Sequence, residues 1–225
     1  MTFSLAACCQ RTGQFAVAVT SSSPAVAARC AFARAGVGAV TTQNVTDPRL
    51  GPALLAVLAQ GLDAEAALDR VLAGASYPEY RQLTVLDAHG RTAAWSGENT
   101  LGVNAQAKGQ DAVSAGNLLA NTGVPEAVRA AFAASDPALE LGARVIGAMQ
   151  AGLEAGGEAG PLRSAGLIVV DREAWPIADL RVDWHDAPLA ELAALWDVWA
   201  PQMRDYVTRA LNPTAAPSYG VPGDE

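Results

Sequence analysis

Three times along this chain, two short apolar runs face each other across a tight turn, and helical pairs separate these hairpins. TFSLAACC (2–9) and FAVAVTS (15–21) flank a turn containing Gly13. RQLTVLDAHGRTAAWSG (81–97) folds back at Asp87-Ala88-His89-Gly90, residues that suit a tight connection. SAGLIVVD (164–171) and PIADLRVDW (176–184) form the third pair. Further strands are predicted at 36–43 and over 111–120, whereas 21–30 reads as a turn leading into a short helix or an irregular strand. Apolar periodicity and start signals predict helices at 49–60 and 63–73, then at 123–134 and 136–154. One amphipathic helix is expected over 188–211, carrying Leu189, Leu192, Leu195, Trp196, Trp199 and Met203 on one face. Hairpins imply antiparallel sheets, and helical pairs can cover their outer faces. The expected fold is therefore α+β, a four-layer αββα sandwich of two antiparallel sheets flanked by helical layers. A plain α+β fold with one sheet is the alternative. Residues 1–211 read as a single domain and 212–225 as an irregular tail.

Composition narrows the function classes. Of 225 residues 51% are apolar, enough for a sizeable core, and the net charge is −8 with Lys and Arg scattered. No basic stripe offers a phosphate backbone its counter-charge, so nucleic acid is not an expected partner. Cys8 and Cys9 point to opposite faces of a strand, and no Cys/His spacing suggests a metal. No apolar run reaches the roughly 20 residues of a membrane helix, and no leader pattern opens the chain. A cytoplasmic protein is expected. Without GxGxxG, a Walker loop or GxSxG, no cofactor is expected and the α/β-hydrolase mechanism loses support.

Thr2 carries the chemical interest. A methionine before a small residue is a substrate for removal, which would leave threonine with a free α-amine. That amine, with a reference pKa of roughly 7.7–8.0, can serve as the base for its own hydroxyl. Since the first strand begins at residue 2, the terminus should be ordered in a sheet. Several runs, namely MTFSLAAC, ARCAFARAGVGAVTTQNVTDPRLGP (28–52), YRQLTVLDAHGRTAAWSGE (80–98), SAGNLLA (114–120), RSAGLIVV (163–170) and DLRVDWHDAP (179–188), resemble the domain of unknown function 1028 family. That family is grouped by fold with the N-terminal-nucleophile hydrolases. The resemblance spans nearly the whole chain. It implies the αββα sandwich and places Thr2 where related enzymes carry their nucleophile.

Asn117, beside Gly116 at a strand end, is the first candidate donor to a developing oxyanion; the glycine would let backbone or substrate approach. Thr42 and Gln43, with Asn44, form a polar cluster after a buried strand and could line a pocket or cap the following loop. Ser21 and Ser22, with Ser23, end the strand beside the first and could meet substrate or form a turn. Arg29 and Arg34 could each hold a carboxylate or a structural ion pair. Ser4 shares a strand face with Thr2. Cys30 is a weaker rival nucleophile, and His89 and His185 are too isolated to form a site. The working expectation is an amidohydrolase acting on a small amide or peptide-like molecule through Thr2. The alternatives are a non-catalytic small-molecule-binding domain or an oligomeric interaction module using Trp184, Trp196, Trp199 and Tyr206.

Overall fold

The structure, a computed structural model, describes residues 1–223. Ten strands form two antiparallel sheets. β1 (Thr2–Cys9) lies in the middle of the six-stranded sheet, ordered β10-β9-β2-β1-β8-β7. Its companions are β2 (Gln14–Ser21), β7 (Ala105–Gly109), β8 (Ala112–Asn117), β9 (Ser164–Val170) and β10 (Ala178–Val182). The second sheet is β3-β4-β5-β6, from Ala31–Arg34, Gly38–Asn44, Arg81–Asp87 and Thr92–Ser96. The sheets stack face to face, β1 and β2 over β3 and β4, and β8 over β5. Seven α-helices and two 3-10 turns complete the described residues.

Period-two alternation in β1 sorts its side chains into two cores. Phe3, Leu5, Ala7 and Cys9 pack with α4 (Val124–Ala134), α5 (Leu141–Glu154) and α6 (Pro188–Trp199). Ala6 and Cys8 belong to the inter-sheet core with Val17, Val19 and Leu86. A third core joins Val40, Leu83 and Val85 to α2 (Leu50–Leu58) and α3 (Ala64–Gly74). Helices on both outer faces make this the four-layer αββα sandwich, and the one-sheet alternative is excluded.

Local readings need correction at four places. After Ser21 the short helix is present as α1 (Ala27–Cys30), but it leads into a strand, β3, that periodicity did not signal. β7 was likewise unforeseen. The helix expected over 136–154 starts only at Leu141. The single helix expected over 188–211 is two, α6 and α7 (Met203–Leu211), separated at Ala200–Gln202. Pro201 accounts for the break, since it lacks an N–H and crowds the preceding turn.

Trp196 is buried against α5, and the Trp199 ring N–H donates to the Ile177 carbonyl at 3.0 Å while stacking on Tyr206. Trp184 stays exposed, with Arg163 over its ring. Residues 212–223 hold a short 3-10 turn and, at Val221, a single bridge; Asp224 and Glu225, the end of the expected tail, lie outside the described residues. No helix among the described residues is long and apolar enough to cross a membrane.

Candidate active site

β1 is hydrogen-bonded on both sides, and its register places Thr2 opposite Ser21 of β2 and opposite Asn117 of β8. Directly opposed residues share a face, so Ser21, Thr2 and Asn117 form one row. This row lies at the end of the six-stranded sheet remote from the β1–β2 turn. Thr2 is 6% exposed and Asn117 1%. On the facing sheet a second row runs through Gln43, Gln82 and Ser96, again directly opposed. The inter-sheet layer is thus apolar around Cys8 and Phe15 and polar around Thr2.

Buried polar groups need partners, and between the sheets Ser4, Gln43, Gln82 and Asn117 supply one another's. Ser4 donates to Gln43 Oε1 at 2.8 Å. Gln43 Nε2 donates to Gln82 Oε1 at 2.8 Å, and Asn117 Nδ2 donates to the same oxygen at 3.0 Å. Gln82 Nε2 in turn reaches Ser96 Oγ and the Gly116 carbonyl, both at 2.9 Å. Gln82 therefore fixes the Asn117 amide from the opposite sheet. Asn117 keeps its second N–H beyond the one given to Gln82. Both strands leave the site through left-handed residues, Asn44 (φ 75°) and Leu118 (φ 51°). A left-handed leucine is sterically costly, so the fold over-determines the turn just after Asn117.

The Thr2 hydroxyl donates to the Met1 carbonyl at 2.5 Å and stands 3.2 Å from Ser21 Oγ. Ser21 donates to the same carbonyl. Ser21 is steadied by Ser23, through Oγ at 2.9 Å and backbone N–H at 3.1 Å. The Met1 carbonyl is thus held by two hydroxyls, and the Met1 side chain lies against Gly160.

One further residue borders this cluster, and sequence reasoning missed it. Glu158 is 6% exposed and accepts from the Ser22 N–H at 3.2 Å through Oε2, while Oε1 has no hydrogen-bond partner. Burial pushes its carboxyl up to about 7, and the nearby Met1 ammonium and the Ser22 N–H only partly offset this. The segment around Glu158 is pinned to the residues after Asn117, with Leu119 bridged to Glu158 and the Ala159 N–H donating to the Leu118 carbonyl at 3.0 Å.

The other expected site residues divide. Gln43 joins the network, and the Ser22 backbone holds Glu158. Thr42 does not join: alternation turns it away from Gln43, and its hydroxyl donates to the Asp47 carbonyl at 3.2 Å, the loop-capping role. Arg29 is spent on the turn at 23–25, donating to Pro24 O, Ala25 O and Ser23 Oγ at 2.8, 3.0 and 2.8 Å. It touches the Thr2 row only through Ser23. Gly116 makes room for Leu119 and Phe3, not for substrate. Arg34 is exposed at the end of an edge strand. Cys30 is buried beside Thr46, and desolvation raises its thiol despite Arg29. A cavity of about 460 Å³ lined by Arg11, Asp171, Arg172, Glu173 and Arg204 opens at the β1–β2 turn, the opposite end of β1 from Thr2.

A family described as a family of unknown function, DUF1028, matches residues 2–192. The chain belongs to the DUF1028 family. The structure is similar to the crystal structure of protein SPO2555 from Silicibacter pomeroyi, itself described as DUF1028. The two share 27% sequence identity with a TM-score of 0.82, over 91% of this chain and 94% of the other. Comparison with curated proteins finds no match. The DUF1028 match begins at Thr2, so the strand carrying the Ser21–Thr2–Asn117 row lies inside the family's shared region.

Proposed function

We propose that this DUF1028 protein is an amidohydrolase acting on a small amide or peptide-like substrate, with Thr2 as an N-terminal nucleophile once Met1 has been removed. The observation that carries this reading is the row Ser21–Thr2–Asn117. It puts a hydroxyl at the first residue of a central strand, an amide donor opposite it, and a second hydroxyl on its other side. A terminus on an edge strand or a frayed arm would not hold its amine and hydroxyl in one geometry; β1 is held from both sides.

In the proposed reaction the Thr2 α-amine takes the hydroxyl proton as Oγ1 attacks the substrate carbonyl. The tetrahedral oxyanion is met by the Asn117 N–H that Gln82 leaves free. Collapse breaks the C–N bond, and the ammonium returns its proton to the departing amine. Water, activated by the same amine, then hydrolyses the ester and releases the acid. Ser21, which shares the Met1 carbonyl with Thr2, orients the nucleophile's hydroxyl.

The test is a panel of amides offered to a chain released from a fusion so that it begins at residue 2. Turnover is expected there. Thr2→Ala should lower kcat by at least roughly 10³-fold with an unchanged far-ultraviolet spectrum and melting temperature. An equally active Thr2→Ala protein overturns the reading.

A further inference from the structure

Glu158 is the buried group beside this site that the reaction above does not use. Its surroundings are built from three directions. The Ser22 N–H holds Oε2 from the end of β2. The Leu119 bridge holds its backbone from the end of β8. Two residues on, Gly160 has the Met1 side chain against it; a Cβ there would meet Met1 Cε at 2.8 Å and Sδ at 3.3 Å. The carboxyl is therefore fixed next to the space that Met1 fills, with Oε1 unpartnered and 94% of the residue out of solvent. A buried acceptor without a donor costs stability, and a ligand that brings the donor recovers it.

Met1 shows what kind of group that is. It is an aminoacyl group attached to the Thr2 nitrogen, with its carbonyl on the Thr2 and Ser21 hydroxyls. Its α-ammonium is close enough to favour the ionised form of Glu158 without making an ion pair with it. Carbonyl toward the nucleophile and ammonium toward the carboxylate is the arrangement an α-aminoacyl amide would take in this space.

We infer that Glu158 is the specificity residue of the site, receiving the amino group of an α-aminoacyl amide through its unpartnered Oε1. Amides whose acyl part lacks an amino group leave that oxygen unsatisfied and bind more weakly. This inference rests on the Thr2 reading for the position of the carbonyl, but binding and turnover test the two separately.

The probe is methioninamide, compared with its desamino counterpart, on a Thr2→Ala chain that begins at residue 2. Calorimetry should show methioninamide binding at least tenfold tighter than the desamino amide. Glu158→Gln, which keeps an acceptor for the Ser22 N–H, should abolish that preference and leave the desamino amide within twofold. Equal binding of the two amides to the parent chain overturns the inference, and that comparison needs no folded Glu158 variant. So does a preference that survives Glu158→Gln. Turnover by the Thr2 chain with no amino preference refutes only the Glu158 inference, and a binding preference without turnover refutes only the Thr2 reaction.

Discussion

At the residue scale, the buried polar side chains show what alternation can and cannot announce. Gln82 and Thr84 interrupt an apolar strand at period two, as Thr41 and Gln43 do in the strand beside it, and all four are fully buried. That pattern was a legible sign of a polar stripe between the sheets, although only Gln43 was singled out. Glu158 had no such sign. It is one of two acids, with the exposed Glu154, in the glycine-rich stretch 152–160, and only the folded contacts bury it. Its titration gives a prediction at this scale. Below about pH 4.5, the ordinary glutamate value, the carboxyl is protonated in both folded and unfolded chains. Between there and about 7 only the unfolded chain releases the proton, so rising pH costs stability throughout that window. Above 7 the cost is complete, on the order of a few kcal/mol. Glu158→Gln should therefore raise the melting temperature more at pH 8 than at pH 5. The same increment at both pH values would show that Glu158 ionises as freely in the fold as outside it.

At the element scale, the hairpins and paired helices were readable because each repeats a period long enough to detect. The strands that escaped, β3 and β7, are both sheet edges, with sequences AFAR and AQAKG and no β-branched residue. Edge strands carry one exposed side and little apolar demand, so their pattern is weak. Helix contacts were equally invisible. Gly142 of α5 faces the Trp196 ring of α6, and a Cβ there would lie 2.3 Å from two ring carbons. Replacing glycine by alanine inside a helix should gain about 1 kcal/mol of propensity. Here Trp196 is itself buried and cannot swing aside, so overpacking, about 1–3 kcal/mol, prevails. Gly142→Ala should lower the melting temperature by several degrees, whereas alanine at Gly147 of the same helix, with open space around it, should raise it slightly. An increase at both positions would show that α5 and α6 are not in this close contact.

At the scale of the whole molecule, the two sheets divide the labour. Their apolar end, around Cys8, Phe15 and Leu86, binds the layers together, and the polar end carries Thr2 in a row whose Asn117 is bonded to Gln82 of the facing row. The four-layer order could be read from the sequence of elements, because strands and helices alternate in blocks. The closure of the site could not be, since Met1, Ser21 and Glu158 meet only when β2, β8 and the 158–160 segment converge on one end. With Met1 in place its carbonyl occupies both hydroxyls and its side chain fills the ground beside Gly160. None of the strand pairing that holds β1 depends on Met1, because the register begins at Thr2. Removing Met1 should therefore uncover the nucleophile without loosening the fold. A β-lactone, which a threonine hydroxyl opens to an ester with no leaving group, reads this directly by intact mass. The chain beginning at residue 2 should gain one lactone mass, mapped to Thr2 by peptide fragmentation. The chain retaining Met1 should gain none, and the two melting temperatures should agree within a few degrees. Equal labelling of Thr2 in both chains would mean that Met1 does not cover the hydroxyl, and a large loss of stability in the shorter chain would mean that Met1 belongs to the core rather than to the site.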